Sequence, residues 1–341
     1  MSGYDSDVSG TKGTSRNGAL VGAAALFFVV GLVIAAWSVQ LPLIAYSPGP
    51  ITDAADSVVV DGAPVYPPGG ELVMLTVAGQ DINMFEALVA AVDPSVDVLA
   101  RRAVRDPDES DEEYRRRNLT LMDRSTTAAI GVALDHIETD DYEPAVFITG
   151  YAADTPAGQV LDIGDRILSL ADEEVSTLED LSAAMGDRRP GDEVSIEVER
   201  DGDVQSHDVA LAPREDEPDS PMIGIFVRQL PFWVDIDSGI VGGPSAGLMY
   251  TLAIIDVLTP GDLTGGRIVS GTGTIDADGN VGGIGGVRQK VVAAEAAGAE
   301  VMLVPESNHE AALTAPRENL TLVPVATIGD AIEFLESLTG A

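Results

Sequence analysis

The chain has 341 residues, no cysteine, and 56 acidic against 19 basic side chains, for a formal net charge of −37. The length suffices for two or three domains, the missing thiols exclude disulfides and thiolate metal sites, and the charge excludes nucleic acid as a partner because phosphate would be repelled. Only Lys12 and Lys290 are lysines, and so acidic a surface suits high salt, where carboxylate repulsion is screened.

Residues 1–17 read as a short cytoplasmic tail. Residues 18–46, GALVGAAALFFVVGLVIAAWSVQLPLIAY, carry no charge. About 29 residues at 1.5 Å each exceed the ~30 Å of a hydrocarbon core, so this run is expected to be a transmembrane helix. Lys12 and Arg16 precede it and no base follows until Arg101. The positive-inside bias therefore puts the tail in the cytoplasm and everything later outside, as a single-pass cell-membrane protein. The apolar run is longer than the roughly 7–15 residues of a cleaved signal peptide, which favours an uncleaved anchor.

Residues 47–124 predict strands at 57–60 and 71–79, a helix at 83–92, and a charged loop from 105 running into an amphipathic helix. They contain no reactive constellation and read as a connecting module. Residues 125–213 read as mixed α/β. VFITG (146–150) is a short strand, Gly164–Asp165 a turn before another, and TLEDLSAAM (177–185) a helix. EVSIEVER alternates apolar and polar positions up to Asp201–Gly202, the preferred two-residue hairpin turn. This order, with PAGQVLDIGDRILSLADEEVSTLEDL as its most telling part, resembles a PDZ domain. The resemblance implies binding of extended peptide ends by strand addition. The loop that would hold the peptide carboxylate most resembles Ala129, Ile130, Gly131 and Val132. A glycine in an ordinary strand entrance explains the same residues nearly as well. PREDEPDSP (213–221) reads as a boundary.

Residues 218–341 alternate strand and helix patterns, so the fold class is α+β or α/β and multidomain. RIVSGTGTI (267–275) predicts a strand and VRQKVVAAEAAG (287–298) a helix closed by Gly298. AEVMLVP is a buried strand, and NLTLVPVATI with DAIEFLESL ends the chain. No nucleotide-binding loop is present. Lys290 follows Gln289 and Lys12 follows Thr11, whereas a P-loop needs glycine before its lysine. His136, His207 and His309 show no metal-ligand spacing, and no metal or cofactor is implied.

GGPSAGLMYTLAIIDVL (242–258) places Ser245 between Gly243–Pro244 and Ala246, at the expected start of an apolar helix. Small neighbours let a substrate backbone approach, and free N–H groups there suit an oxyanion. A serine N-cap explains the segment equally. Lys290 lies 45 residues on, in a helix with Ala293 and Ala294 on its own face. Burial among such residues would lower its pKa and let it accept the serine proton. A surface lysine is the alternative.

GGPSAGLMYTLAIIDVL followed by GTGTIDADGNVGGIGGVRQKVVAAEAAGAEVMLVP closely resembles the proteolytic domain of Lon-type proteases. The resemblance implies Ser245 as nucleophile, Lys290 as general base, and Thr272 as a threonine hydrogen-bonded to that lysine. Gly242 and Thr274 depart from the aspartate and glutamate of ATP-dependent members. The whole order of anchor, connecting module, PDZ-like domain and Lon-type domain resembles a bacterial family of membrane-anchored PDZ-containing Lon-type proteases. It implies an ATP-independent serine endopeptidase acting on polypeptides, assembled as a homo-oligomer and facing outward. The rival function is a non-catalytic, membrane-anchored binding scaffold.

Overall fold

The computed structural model describes residues 16–106, 108–137, 139, 141–153, 155–239 and 242–339, so the tail expectation for residues 1–15 lies outside it. Helix α1 (Arg16–Ser38) is followed by strand β1 (Gln40–Asp53). The expected anchor helix to residue 46 therefore stops short. Pro42 cannot continue a helix, and Ile44 and Ala45 are buried in a sheet. Among the described residues no helix is long and apolar enough to cross a membrane. Within α1 the side chains at 16–19, 29, 32, 33 and 35 are outside the description, and the large apolar ones described are exposed, Phe27 at 78% and Trp37 at 63%.

A six-stranded sheet organises the first unit. It takes in β1, β2 (Glu71–Asn83) and β3 (Asp97–Ala100) from the first third of the chain. From the last third it takes β4 (Ile268–Gly271), β5 (Val301–Pro305) and β6 (Thr321–Val325), in the order β6-β5-β4-β2-β1-β3. The β4–β2, β4–β5 and β5–β6 pairs are parallel, while β1 runs antiparallel to β2 and β3. Strand β2 explains its own apolar run. Leu72 and Met74 face the core shared with helix α3 (Gly247–Leu258), and Val73 and Leu75 face the core under helix α4 (Val287–Ala296). A strand covered on both faces has no polar side to alternate with.

The connecting module thus supplies strands to the six-stranded sheet, and the strand Val58–Asp61 pairs with Trp233–Ile236 beyond the second domain. Sequence patterns are local, and the parallel β2–β4 pair joins residues almost two hundred positions apart.

Helix α2 (Asp111–His136) is 26 residues long, about 39 Å by the usual rise, and starts on a capping box between Ser110 and Glu113. It absorbs Ala129–Val132, and here the sequence expectation is corrected. Ile130 and Val132 are buried helical residues and Gly131 sits in the same helix, so their N–H groups point along its axis and cannot converge on a carboxylate. A single glycine costs a helix only about 1 kcal/mol, which the flanking apolar stripe overrides.

The second unit is an antiparallel sheet built from Ala145–Tyr151, Arg166–Leu170, Glu193–Arg200 and Asp203–Ala210 around its own core of Val146, Ile148, Ile167 and Ile196. Asp201 and Gly202, both at positive φ, form the expected hairpin turn. Its edge strand is Ile225–Leu230, pairing with Ala145–Tyr151. That strand lies past the expected boundary at 213–218, so the second unit runs to Leu230 and is inserted between α2 and the remainder of the first. Helix α5 (Ile328–Thr339) closes the chain against α3.

Gly286 precedes α4 at φ +67, and a Cβ there would lie 2.8 Å from Val77 Cγ1 on β2. Gly286→Ala should lower stability by about 1–3 kcal/mol, read as a shift in the denaturation midpoint, because left-handed strain and a clash act together.

Candidate functional site

The loop before α3 is held from several directions. Gly243 adopts φ 98 and ψ 151, a conformation open to glycine alone, and its N–H donates to the Asn118 carbonyl of α2 at 3.1 Å. Pro244, Ser245 and Ala246 form one 3₁₀ turn, and α3 starts at Gly247. Ser125 Oγ, also on α2, donates to the Pro244 carbonyl at 2.9 Å. At Gly247 a Cβ would lie 2.6 Å from that hydroxyl, so only glycine admits the close approach. The Ser245 carbonyl accepts from the Gly273 N–H at 2.9 Å and from the Thr272 hydroxyl at 3.0 Å. Ser245 caps no helix, since neither the 3₁₀ turn nor α3 has a side-chain cap.

Strand β4 ends at Gly271 and the chain kinks through Thr272 and Gly273, which splits the expected 267–275 strand. The kink brings Thr272 over α4. Lys290 rises from that helix, only 1% exposed, with Nζ 2.8 Å from Ser245 Oγ and 2.8 Å from Thr272 Oγ1. The surface-lysine alternative fails on that burial. Burial alone pushes its pKa down from 10.5 to about 7. Since the Thr272 proton is given to the Ser245 carbonyl, its oxygen accepts an N–H from Lys290. A neutral amine then keeps its lone pair for the Ser245 hydroxyl.

The structure therefore brings Ser245, Lys290 and Thr272 together. The neighbouring backbone groups divide differently from expectation. The Gly243 N–H is taken by Asn118, Pro244 has none, and Ala246 is buried in the turn. The Ser245 N–H is in no backbone hydrogen bond outside the helices and strands among the described residues, and it is a candidate donor to an oxygen bound beside Oγ. Ile130, Gly131 and Val132 belong to a different part of the molecule, inside α2.

Ser245 and Lys290 open into a cleft of about 560 Å³. Tyr46, Thr76 and Val77 of β1 and β2 form one wall, and Tyr114, Arg115 and Asn118 of α2 the other. Burial, with Tyr114 alongside, raises the Tyr46 phenol to about 12. These wall residues, with Ser125, escaped sequence reasoning. The available signal was Ser125 on the same helical stripe as Met122 and Ala129, a hydroxyl buried among apolar neighbours.

A buried lysine has a measurable cost. Its native pKa lies below the unfolded value of about 10.4, so unfolding takes up a proton between roughly pH 7 and 10 and stability rises across that window. Lys290→Met should be more stable than the parent at pH 7 by an amount on the order of a few kcal/mol, with the gap closing toward pH 10. Denaturant titrations at the two pH values check this.

Residues 128–211 match the PDZ domain family, and residues 232–337 match the Lon protease (S16) C-terminal proteolytic domain. The Lon protease of Brucella suis biovar 1 (strain 1330) is 34% identical over 94 residues, 27% of this chain and 11% of that protein. The Lon protease of Phenylobacterium zucineum (strain HLK1) is 40% identical over 94 residues, 27% of this chain and 12% of that protein. The chain thus spans only 11% and 12% of the length of these two curated relatives. The PDZ domain of an SdrC-like protein from Listeria monocytogenes aligns over 25% of this chain and 88% of that one, at 24% identity and a TM-score of 0.23, too low to carry an argument. The chain therefore carries a PDZ domain and a Lon-type C-terminal proteolytic domain, and Ser245, Thr272 and Lys290 all lie in the proteolytic domain.

Proposed function

We propose that the protein is an ATP-independent serine endopeptidase working through a Ser245–Lys290 dyad, anchored in the membrane by its uncharged N-terminal run and facing outward. The observation that carries this reading is the 2.8 Å approach of a buried Lys290 amine to Ser245 Oγ, with burial as the cause of the lowered pKa. At pH 8 a pKa of about 7 leaves about nine-tenths of the amine neutral, against less than about one part in a hundred at the ordinary value.

Neutral Lys290 takes the Ser245 proton as Oγ attacks the scissile carbonyl. The carbonyl π electrons move to oxygen, and the Ser245 N–H steadies that oxyanion. Collapse breaks the C–N bond, and the Lys290 ammonium gives its proton to the leaving amine. Lys290 then deprotonates a water that attacks the acyl carbonyl, the acyl C–Oγ bond breaks as that intermediate collapses, and the Lys290 ammonium returns its proton to Ser245 Oγ. Thr272 orients the amine throughout. The two departures noted by resemblance, Gly242 and Thr274, leave these contacts in place.

ATP independence follows the resemblance to membrane-anchored PDZ-containing Lon-type proteases, and anchoring is supported by the uncharged run at 18–46 behind Lys12 and Arg16. The PDZ domain is read as binding polypeptide substrates or gating their entry, and the assembly as a homo-oligomer.

Full-length protein in detergent should cleave an unstructured polypeptide without ATP. Ser245→Ala and Lys290→Ala should each lower kcat by about a thousandfold or more, and the double variant should be no worse, because nucleophile and base act as a unit. Retained turnover in Ser245→Ala, or a need for ATP, overturns the reading. The rate of the parent should climb through about pH 7 as Lys290 loses its proton. For the anchor, alkaline carbonate should leave the full chain in the membrane pellet and lose it on deletion of residues 18–38. Release of the intact chain would show a peripheral protein.

A further inference from the structure

Arg115 lines the cleft that holds Ser245 and Lys290, three residues before the Asn118 whose carbonyl fixes Gly243. The other bases around it are occupied. Arg105 pairs with Asp111 at 2.6 Å, and Arg117 pairs with Glu109 at 2.8 Å. Both of these guanidiniums also lie over the Tyr114 ring, at 5.8 and 5.2 Å. Arg115 makes no ion pair and no side-chain hydrogen bond among the described residues. Asp111, the one carboxylate lining the cleft, is bonded to Arg105.

The charge balance is local to this wall. Residues 101–124 hold seven of the chain's 17 arginines against seven carboxylates, so the segment is neutral while the remainder carries the whole −37. Within the cleft lining, Arg105 and Arg115 stand against Asp111. With Lys290 mostly neutral above its lowered pKa, the lining is positive by one charge inside a strongly negative molecule. A guanidinium with its planar fork free matches a carboxylate bidentately.

We infer that Arg115 is a specificity-determining residue that receives a substrate carboxylate, so that the enzyme prefers polypeptide substrates with an acidic group at one position near the cut. This rests on the peptidase reading above. The carboxylate has two possible sources, an internal Asp or Glu side chain or the substrate's own C-terminus, and both present the same two oxygens to the fork. The preference comes from contact with Arg115 rather than from the field of the chain, which repels anions.

The test uses the full-length protein in detergent and internally quenched peptides sharing one cleavable core. In one set the C-terminus is amidated and a single Glu or Gln is walked across the core. In the other the core is neutral and ends in a free carboxylate or an amide. Contact with Arg115 should give a kcat/KM ratio of about ten for Glu over Gln at one position, or for carboxylate over amide, on the scale of a charge-assisted hydrogen bond. That ratio should fall to about one in Arg115→Gln and reverse toward Lys-containing peptides in Arg115→Glu. It should survive ~1 M salt, where the Debye length of about 3 Å leaves only direct contact. Equal cleavage of all twins by the parent, or an unchanged ratio in Arg115→Gln, overturns the role of Arg115 and leaves the peptidase standing. Absence of any Ser245-dependent cleavage overturns both.

Discussion

The arrangement depends on one desolvated amine. Lys290 is buried beside two hydroxyls, and burial alone accounts for its lowered pKa. An ammonium so enclosed would normally attract a carboxylate, and this chain has 56 of them. None contributes to its shift. The fold keeps them away by surrounding α4 with apolar strand and helix faces, Val73, Leu75, Met302 and Val304 among them. A carboxylate at hydrogen-bond range would restore the charge on nitrogen and remove the lone pair that faces Ser245.

The loop carrying Ser245 is held by the same logic of non-local contact. Its carbonyls and N–H groups are tied to α2 by Asn118 and Ser125, and to the kink after β4 by Thr272 and Gly273. Helix α2 also reaches the second unit. Arg228, on the edge strand Ile225–Leu230, donates to Thr127 Oγ1 at 2.8 Å, and Ala129, Ile130 and Ala133 share a core with Phe147 and Leu230. One rigid element therefore touches both the PDZ sheet and the loop of Ser245. The PDZ unit is an insertion that leaves the six-stranded sheet intact, since none of the six strands comes from residues 125–230.

Charge is distributed in a way that composition conceals. The wall formed by residues 101–124 is neutral, and its arginines are spent on Tyr114, Asp111 and Glu109 as well as on the cleft. A molecule whose surface repels anions can still present a cation in a cleft, provided the positive groups are concentrated in one helix and its leading loop.

Short-range features were legible without coordinates. The Asp201–Gly202 hairpin, the helix 177–185, the buried strand before Pro305 and the helix of Lys290 follow from turn chemistry and periodicity, which act within a few residues. So did the pairing of Ser245 with Lys290, because glycine-rich turns flanking both residues form a motif that survives in linear order. The errors share a cause. Ile130, Gly131 and Val132 have a loop-like glycine, yet the helix they belong to is decided by the core it covers. Residues 47–124 read as a connecting module because their sheet partners lie far along the chain, and Ile225–Leu230 joins the second unit's sheet from beyond the PDZ segment because it pairs backward with Ala145–Tyr151. By itself the sequence determined which residues could react and which segments would turn or coil. Only the tertiary structure decided which strands share a sheet, what holds the Ser245 loop, and how deeply Lys290 is buried, since burial and strand pairing are properties of residues that meet only after the chain has closed on itself.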